Sequence, residues 1–180
     1  MVLDYRLPRF SGCKRAPLAS AFDGPVSATL LPAGRRATDL PMGLGPAALV
    51  AMQGINQLLD GWLPSERGLP RSFYALSNGG QYVAPAAAAR ALRVGGPPVS
   101  RRRGRAHLVG MAASLMVFDR LSFGTDGARM AEMYFCLHDY MQQVPHAMRM
   151  CALLARHPVV RDPVRAVDEY RGSQSCPVVL

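Results

Sequence analysis

Two short apolar-aromatic runs, Phe73 to Ser77 and Gln81 to Ala84, flank a central Asn78-Gly79-Gly80 in the phrase SFYALSNGGQYVAP, Ser72 to Pro85. Asn and Gly are the residues that tolerate a positive φ, so the spacing predicts a β-hairpin closed by a tight turn at Asn78-Gly79. An antiparallel sheet is therefore one fixed part of the fold.

The remaining elements follow from hydrophobic period and from Pro and Gly punctuation. Ser27 to Leu31 predicts a short strand ended by Pro32, and Gly34 to Gly45 reads as loop. From Pro46, the positions Ala47, Leu49, Val50, Met52, Ile55, Leu58 and Leu59 recur at helical intervals, which predicts a helix to about Asp60 with Gly54 as its weak point. Pro64, Gly68 and Pro70 make a connector into the hairpin. Leu92-Arg93-Val94 is a candidate third strand, but Gly95-Gly-Pro-Pro98 after it excludes regular ladder pairing, because proline donates no hydrogen bond. Leu108, Met111, Leu115, Phe118 and Leu121 give a helix one apolar face. Asp126 is placed to cap the next helix, whose stripe is Met130, Met133, Tyr134, Leu137, Tyr140 and Met141. Pro145 opens a third helix, expected to be buried because only Arg149 and Arg156 break its apolar surface, and Pro158 ends it. Strands first and helices after give an α+β fold, with helices over one face of a small antiparallel sheet.

At 180 residues the chain has room for one well-buried core. We assign it a single domain over residues 26–158, between a mobile N-terminal arm at 1–25 and a C-terminal tail at 159–180 with room for a short helix to Arg171. No run approaches 18 apolar residues, so no membrane helix is expected. Asp4, Arg6, Pro8 and Arg9 interrupt the segment where a secretory leader needs its apolar core, and cytoplasmic residence is the expectation. Cys13, Cys136, Cys151 and Cys176 are too scattered for a zinc pattern, and no cofactor is expected. The formal charge is +9, with only 12 carboxylate side chains, which excludes a protein that imitates DNA.

Catalytic constellations do not assemble. Cys136 and His138 point about 200° apart on a helix, out of mutual reach. Ser77 lacks a Gly-x-Ser-x-Gly elbow, and Gly43-Leu44-Gly45 lacks the rest of a phosphate loop. Arg101, Arg102, Arg103 and Arg105 form the strongest charge feature. They are candidate phosphate or partner contacts, with weak, nonspecific DNA binding as the consequence, set against the blander reading of a solvated loop. Methionines at helical spacing read as core filler and Trp62 as a core anchor.

Phe73-Tyr74-x-Leu76-Ser77-Asn78-Gly79-Gly80-x-Tyr82-x-Ala84-Pro85 resembles the signature hairpin of the ArdB/KlcA antirestriction proteins, carried by plasmids and other mobile elements. Further matches keep the family's order. They are Thr29-Leu-Leu-Pro32, Arg36, Leu40-Pro41, Gly45-Pro46, Gly61-Trp62, the helix around Leu115, Leu137-x-Asp139-Tyr140 and His146-Ala147, so the resemblance runs from about Ser27 to Arg156. It implies a compact, non-enzymatic α+β domain that relieves type I restriction of incoming DNA in a bacterial cytoplasm, leaving modification largely untouched. The partner it implies is the host type I restriction system or an associated host factor, and Asp139 is a candidate contact. The alternative is a divergent relative that binds nucleic acid or a protein through its arginine-rich surface. His138 and Met148 stand where the family has an arginine and an acidic residue. The family's second hairpin is replaced by GGPPVSRRRGR, Gly95 to Arg105, which puts the far strands of the sheet in question.

Overall fold

The computed structural model describes residues 24–64, 67–68, 70–86, 91–94, 102–124, 127–157 and 160. Asp126, Arg101, most of the N-terminal arm and nearly all of the C-terminal tail, with its expected helix, lie outside the described residues. The expected hairpin is present as β2 (Arg71–Leu76) and β3 (Gln81–Pro85), in antiparallel register with Tyr74 opposite Tyr82. The predicted first strand, β1 (Ala28–Leu30), lies on the other side of β2 with Leu30 opposite Tyr74, so the strand order is β1-β2-β3. Ser72, Tyr74 and Leu76 of β2 are buried while Arg71, Phe73 and Ala75 are half-buried, the period-2 alternation of a sheet with one covered face.

The turn differs from the two-residue form expected. Gly79 N–H donates to the Leu76 carbonyl (3.0 Å) and Leu76 N–H donates to the Gly80 carbonyl (2.8 Å), which makes Ser77-Asn78-Gly79 a three-residue loop. Only Gly79 takes a positive φ, 87°. This is a turn followed by a glycine bulge, and Asn78 is selected for its side chain rather than its backbone.

Residues 34–45, expected as loop, instead form a short 3₁₀ turn (Ala33–Arg35) and a helix, α1 (Arg36–Leu44). Long-range contacts override Pro41 and Gly43: Leu44 is buried, Gln81 Nε2 donates to the Asp39 carbonyl (3.3 Å), and Arg129 Nε donates to the Gly43 carbonyl (2.8 Å). Next comes α2 (Ala48–Trp62), which buries Ala48, Ala51, Ile55, Leu58, Leu59 and Trp62 and leaves Leu49 84% exposed. Gly54 is a contact point rather than a weakness, since a Cβ there would stand 3.2 Å from Val117.

The second hairpin is also present. β4 (Ala91–Val94) pairs antiparallel with β5 (Arg102–Arg105) as a separate two-stranded ribbon, so the arginine run is strand rather than loop. The Gly-Pro segment that argued against pairing falls between the strands, where a missing N–H costs the ladder nothing.

Three helices complete the domain: α3 (Ala106–Leu121), α4 (Gly127–Gln143) and α5 (Ala147–Leu154). The burial expected of the last belongs to α3, which packs on β3, α2, α4 and α5 and is covered on nearly every side. Gly110, Ala112, Ala113 and Ser114 are the reason, because small side chains let neighbours approach from several directions. α5 buries only Ala147, Cys151 and Leu154, and starts two residues after Pro145, behind His146 at φ 68°. The α4 stripe is as expected, with Met130, Met133, Leu137 and Met141 buried.

Candidate functional site

β3 is an edge strand, and one of its outward peptide groups is satisfied by a helix. Val83 N–H donates to Ser114 Oγ (3.1 Å), and a Cβ on Gly110 would fall 2.3 Å from the Val83 carbonyl oxygen. Gly110 and Ser114 are one turn apart, so one face of α3 meets the strand backbone directly. This contact closes the sheet edge and fixes the hairpin against the helices.

The turn end of the hairpin is fixed by α4. Asn78 Nδ2 donates to the Cys136 carbonyl (2.8 Å), Cys136 Sγ donates to the Asn78 carbonyl (3.3 Å), and Gly80 N–H donates to Asn78 Oδ1 (3.2 Å). Gly80 is required by the same approach, because a Cβ there would stand 2.8 Å from that of Cys136. Ser77 ties in β1: Ser27 N–H donates to Ser77 Oγ (3.0 Å), and Ser77 N–H donates to the Ser27 carbonyl (2.9 Å). Gln143 of α4 accepts from Val26 N–H (2.9 Å). Turn, β1 and the C-terminal half of α4 thus form one continuous surface.

Behind the turn the motif tyrosines stack. The Tyr74 and Tyr82 rings lie 4.8 Å apart and nearly parallel, and Tyr140 stacks on Tyr82 at 6.1 Å. The Tyr82 hydroxyl lies 2.9 Å from His107 Nδ1 and is also hydrogen-bonded to Tyr140; with one proton, it donates to one and accepts from the other. Burial, then the neighbouring Tyr140 and Tyr74, raise the Tyr82 pKa far above the usual phenol range, and burial lowers that of His107. Both shifts favour the neutral forms, of the Tyr82 phenol and of the His107 imidazole. Phe73 lies under the Arg36 guanidinium at 5.1 Å, and Pro85 is buried opposite Arg71, whose guanidinium pairs with Asp60.

Asp139 stands beside this surface on α4, between Cys136 and Tyr140, both of which face the hairpin. Its side chain is 45% exposed, with Oδ1 3.8 Å from His138 Nδ1. Of the sequence-derived candidates, the hairpin residues and Asp139 therefore come together, while Arg102, Arg103 and Arg105 lie on β5 at the start of α3. Cys136 is a structural donor: burial pushes its thiol pKa up, away from the thiolate a nucleophile needs. His107, Ser114 and Gln143 were missed by sequence reasoning, because their partners are between 25 and 117 residues away. Among the described residues, no three His, Cys, Asp or Glu side chains converge as metal ligands.

Comparison with known proteins places this geometry. A family model described as antirestriction protein matches residues 67–155, from the connector before β2 to the end of α5. No curated protein matches the chain. A solved structure from work on the KlcA and ArdB proteins, described there as having a novel fold and antirestriction activity against type I DNA restriction systems in vivo but not in vitro, superimposes with a TM-score of 0.59. The match covers 74% of this chain and 97% of that one at 23% sequence identity, a likeness of fold.

Proposed function

We propose that the chain, matched by an antirestriction-protein family model over residues 67–155 and similar in fold to the KlcA and ArdB proteins, is an antirestriction protein that relieves type I restriction of incoming mobile-element DNA, in the cytoplasm and without catalysis. The observation that carries this reading is the family match across residues 67–155, which contains the signature hairpin in its folded, α4-locked form. Mimicry of DNA does not supply the mechanism, because the formal charge is +9. Contact with a host protein does, and the surface offered is the turn end of the hairpin with Asp139 at its rim. The KlcA and ArdB proteins act in vivo but not in vitro, which fits a host factor associated with the restriction system as the direct partner. The working unit is residues 26–160. Val160 is included because it is buried and its carbonyl accepts a bond from Arg120 (2.8 Å).

The test is plating efficiency of unmodified phage on a type I restricting host, with and without expression of the chain. A rise confined to the restricting host is expected, and residues 26–160 alone should give it. An unchanged ratio with soluble protein present would end this reading.

A further inference from the structure

Residues 40–59 contain no charged side chain, although 18% of the chain is Arg, Lys, Asp or Glu and a stretch of this length would ordinarily hold three or four. In a fully buried segment that would need no explanation. α2, however, is buried on one side only. Ala48, Ala51, Ile55, Leu58, Leu59 and Trp62 face the core, and the helical turn of about 100° per residue gathers Leu49, Val50, Gln53 and Gln57 on the opposite side, within about 100° of one another. All four are exposed, Leu49 by 84% and Val50 by 56%. Met42, 77% exposed, is in the last turn of α1, which packs against α2. The polar face of a surface helix ordinarily carries charge; this one carries two large aliphatic side chains and two amides.

The charges at its margins are already paired. Asp39, just before the stretch, is held by Arg35 (3.2 Å), and Asp60, just after it, by Arg71. The Arg36 guanidinium lies over the Phe73 ring, with its Nε donating to the Leu31 carbonyl (3.5 Å). The outward face of α2 is therefore a neutral patch on a chain of formal charge +9, and this selects what covers it. Two such chains repel, and they repel least where the nearby charges are paired within each. A charged partner finds no charge here to complement. A membrane surface calls for free Arg or Lys beside the apolar side chains, and the arginines at these margins are engaged. A second copy fits on every count: leucine and valine pack against themselves, and a glutamine amide, donor and acceptor at once, pairs with another glutamine.

We propose that the outward face of α2 binds a second copy of this chain, the two α2 helices crossing about a twofold axis near Leu49 and Val50. A twofold contact presents the same patch from both sides, which is what a self-complementary face provides. Leu49, Gln53 and Gln57 stand at i, i+4 and i+8 and form one ridge; ridges of this kind interdigitate at about −50°, so close contact is confined to the crossing point. The apolar centre is small beside the roughly 800 Å² that each partner buries in a stable complex, so the dimer is a reversible one. The surface that includes Asp139 belongs to α4 and the hairpin rather than to α2. Self-association thus goes beyond restriction relief and does not rest on it.

The experiment is sedimentation velocity of the full chain at about 1–500 µM, in about 50 mM and about 500 mM salt. A monomer–dimer equilibrium is expected, with a dissociation constant on the order of 10–100 µM. It should tighten at the higher salt, because salt screens the repulsion between two basic chains and the contact has no ion pair to lose. Leu49→Glu and Leu49→Lys should each weaken association by about tenfold or more, since each sets like charges together at the axis, and an equimolar mixture of the two should restore it. The site is exposed, so both variants should melt like wild type. Phe123→Glu, at a 72% exposed side chain just beyond α3, should associate as wild type does. A wild-type chain that stays monomeric throughout would overturn the proposal, as would Leu49 variants that associate like wild type, a mixture no tighter than its components, or an equal loss in Phe123→Glu. Binding of the wild type to phosphatidylserine vesicles, abolished by Leu49→Glu with no dimer at any concentration, would assign the face to a membrane instead. Restriction relief is not read here, so failure of one reading leaves the other standing.

Discussion

Asn78→Ala tests whether the hairpin motif is a turn signal or a tether to α4. The substitution removes two hydrogen bonds, from Asn78 Nδ2 to the Cys136 carbonyl and from Gly80 N–H to Asn78 Oδ1. The Cys136 carbonyl retains its place in the α4 ladder, so its loss is that of one net hydrogen bond, about 0.5–1.5 kcal/mol. Gly80 is buried, and its N–H then lacks an acceptor, which costs about 1–3 kcal/mol. Together these give about 2–4 kcal/mol, or a drop in melting temperature on the order of 6–14 °C for a domain of this size. Gly79→Ala sets the comparison. A Cβ there meets nothing within 4 Å, and its penalty is the positive φ alone, about 1–2 kcal/mol. The residue that looks secondary in the sequence should therefore be at least as costly as the glycine. Asn78→Asp, which keeps the acceptor and loses the donor, should fall between wild type and alanine. Urea unfolding of all four proteins is the assay. An Asn78→Ala midpoint equal to wild type, beside a lowered Gly79→Ala midpoint, would refute the tether.

Ser114→Ala should destabilise by about 1–3 kcal/mol in urea unfolding, by orphaning the Val83 N–H. Gly110→Ala should cost about 3 kcal/mol or leave no folded protein, because its Cβ meets strand backbone that cannot yield. Burial lowers the His107 pKa below its unfolded value near 6.5, so the unfolded chain binds the extra proton. The stability this contributes is complete above the unfolded value and is lost as pH falls through the folded one. Hence the wild type should lose more than His107→Gln between pH 7.5 and 5, read by denaturant midpoints. Asp139→Ala should melt like wild type, since a half-exposed carboxylate contributes little, and should lower phage plating if the rim contacts the host partner. Normal plating would remove Asp139 from the site.

The hairpin was legible because its turn chemistry is local, and the α2 and α4 stripes because apolar period alone defines them. α1 was not legible. Pro41 and Gly43 read as breakers, while the contacts that make the segment helical come from Gln81 and Arg129, far along the chain. The β4–β5 ribbon was hidden by the same logic, since Gly-Gly-Pro-Pro stops a strand and says nothing of one resuming after it. Interchanging the burial of α3 and α5 has a different cause. Hydrophobicity favours the methionine-rich α5, but centrality depends on how closely neighbours approach, and there Gly110 and Ser114 outrank larger side chains. For the candidate site, the residue types of the motif were visible, but the α4 surface that completes it is 58 residues from Asn78.

The phrase that most strongly marks the family is also the part of the surface with the least left to give a partner. Asn78 and Gly80 are committed to α4, Gly79 to the bulge, Tyr74 and Tyr82 to the stack with His107 and Tyr140, and Pro85 to the end of the ladder. Each has an internal reason to be that residue. A motif of this kind defines a rigid platform, and recognition falls to what the platform holds in place: the exposed Ser77 side, the half-exposed Asp139 and His138, and the exposed Gln142 and Gln143. Substitutions inside the phrase, Ser77 apart, should therefore change restriction relief only through stability, in proportion to the fall in melting temperature. Substitutions on the rim should change it at constant stability.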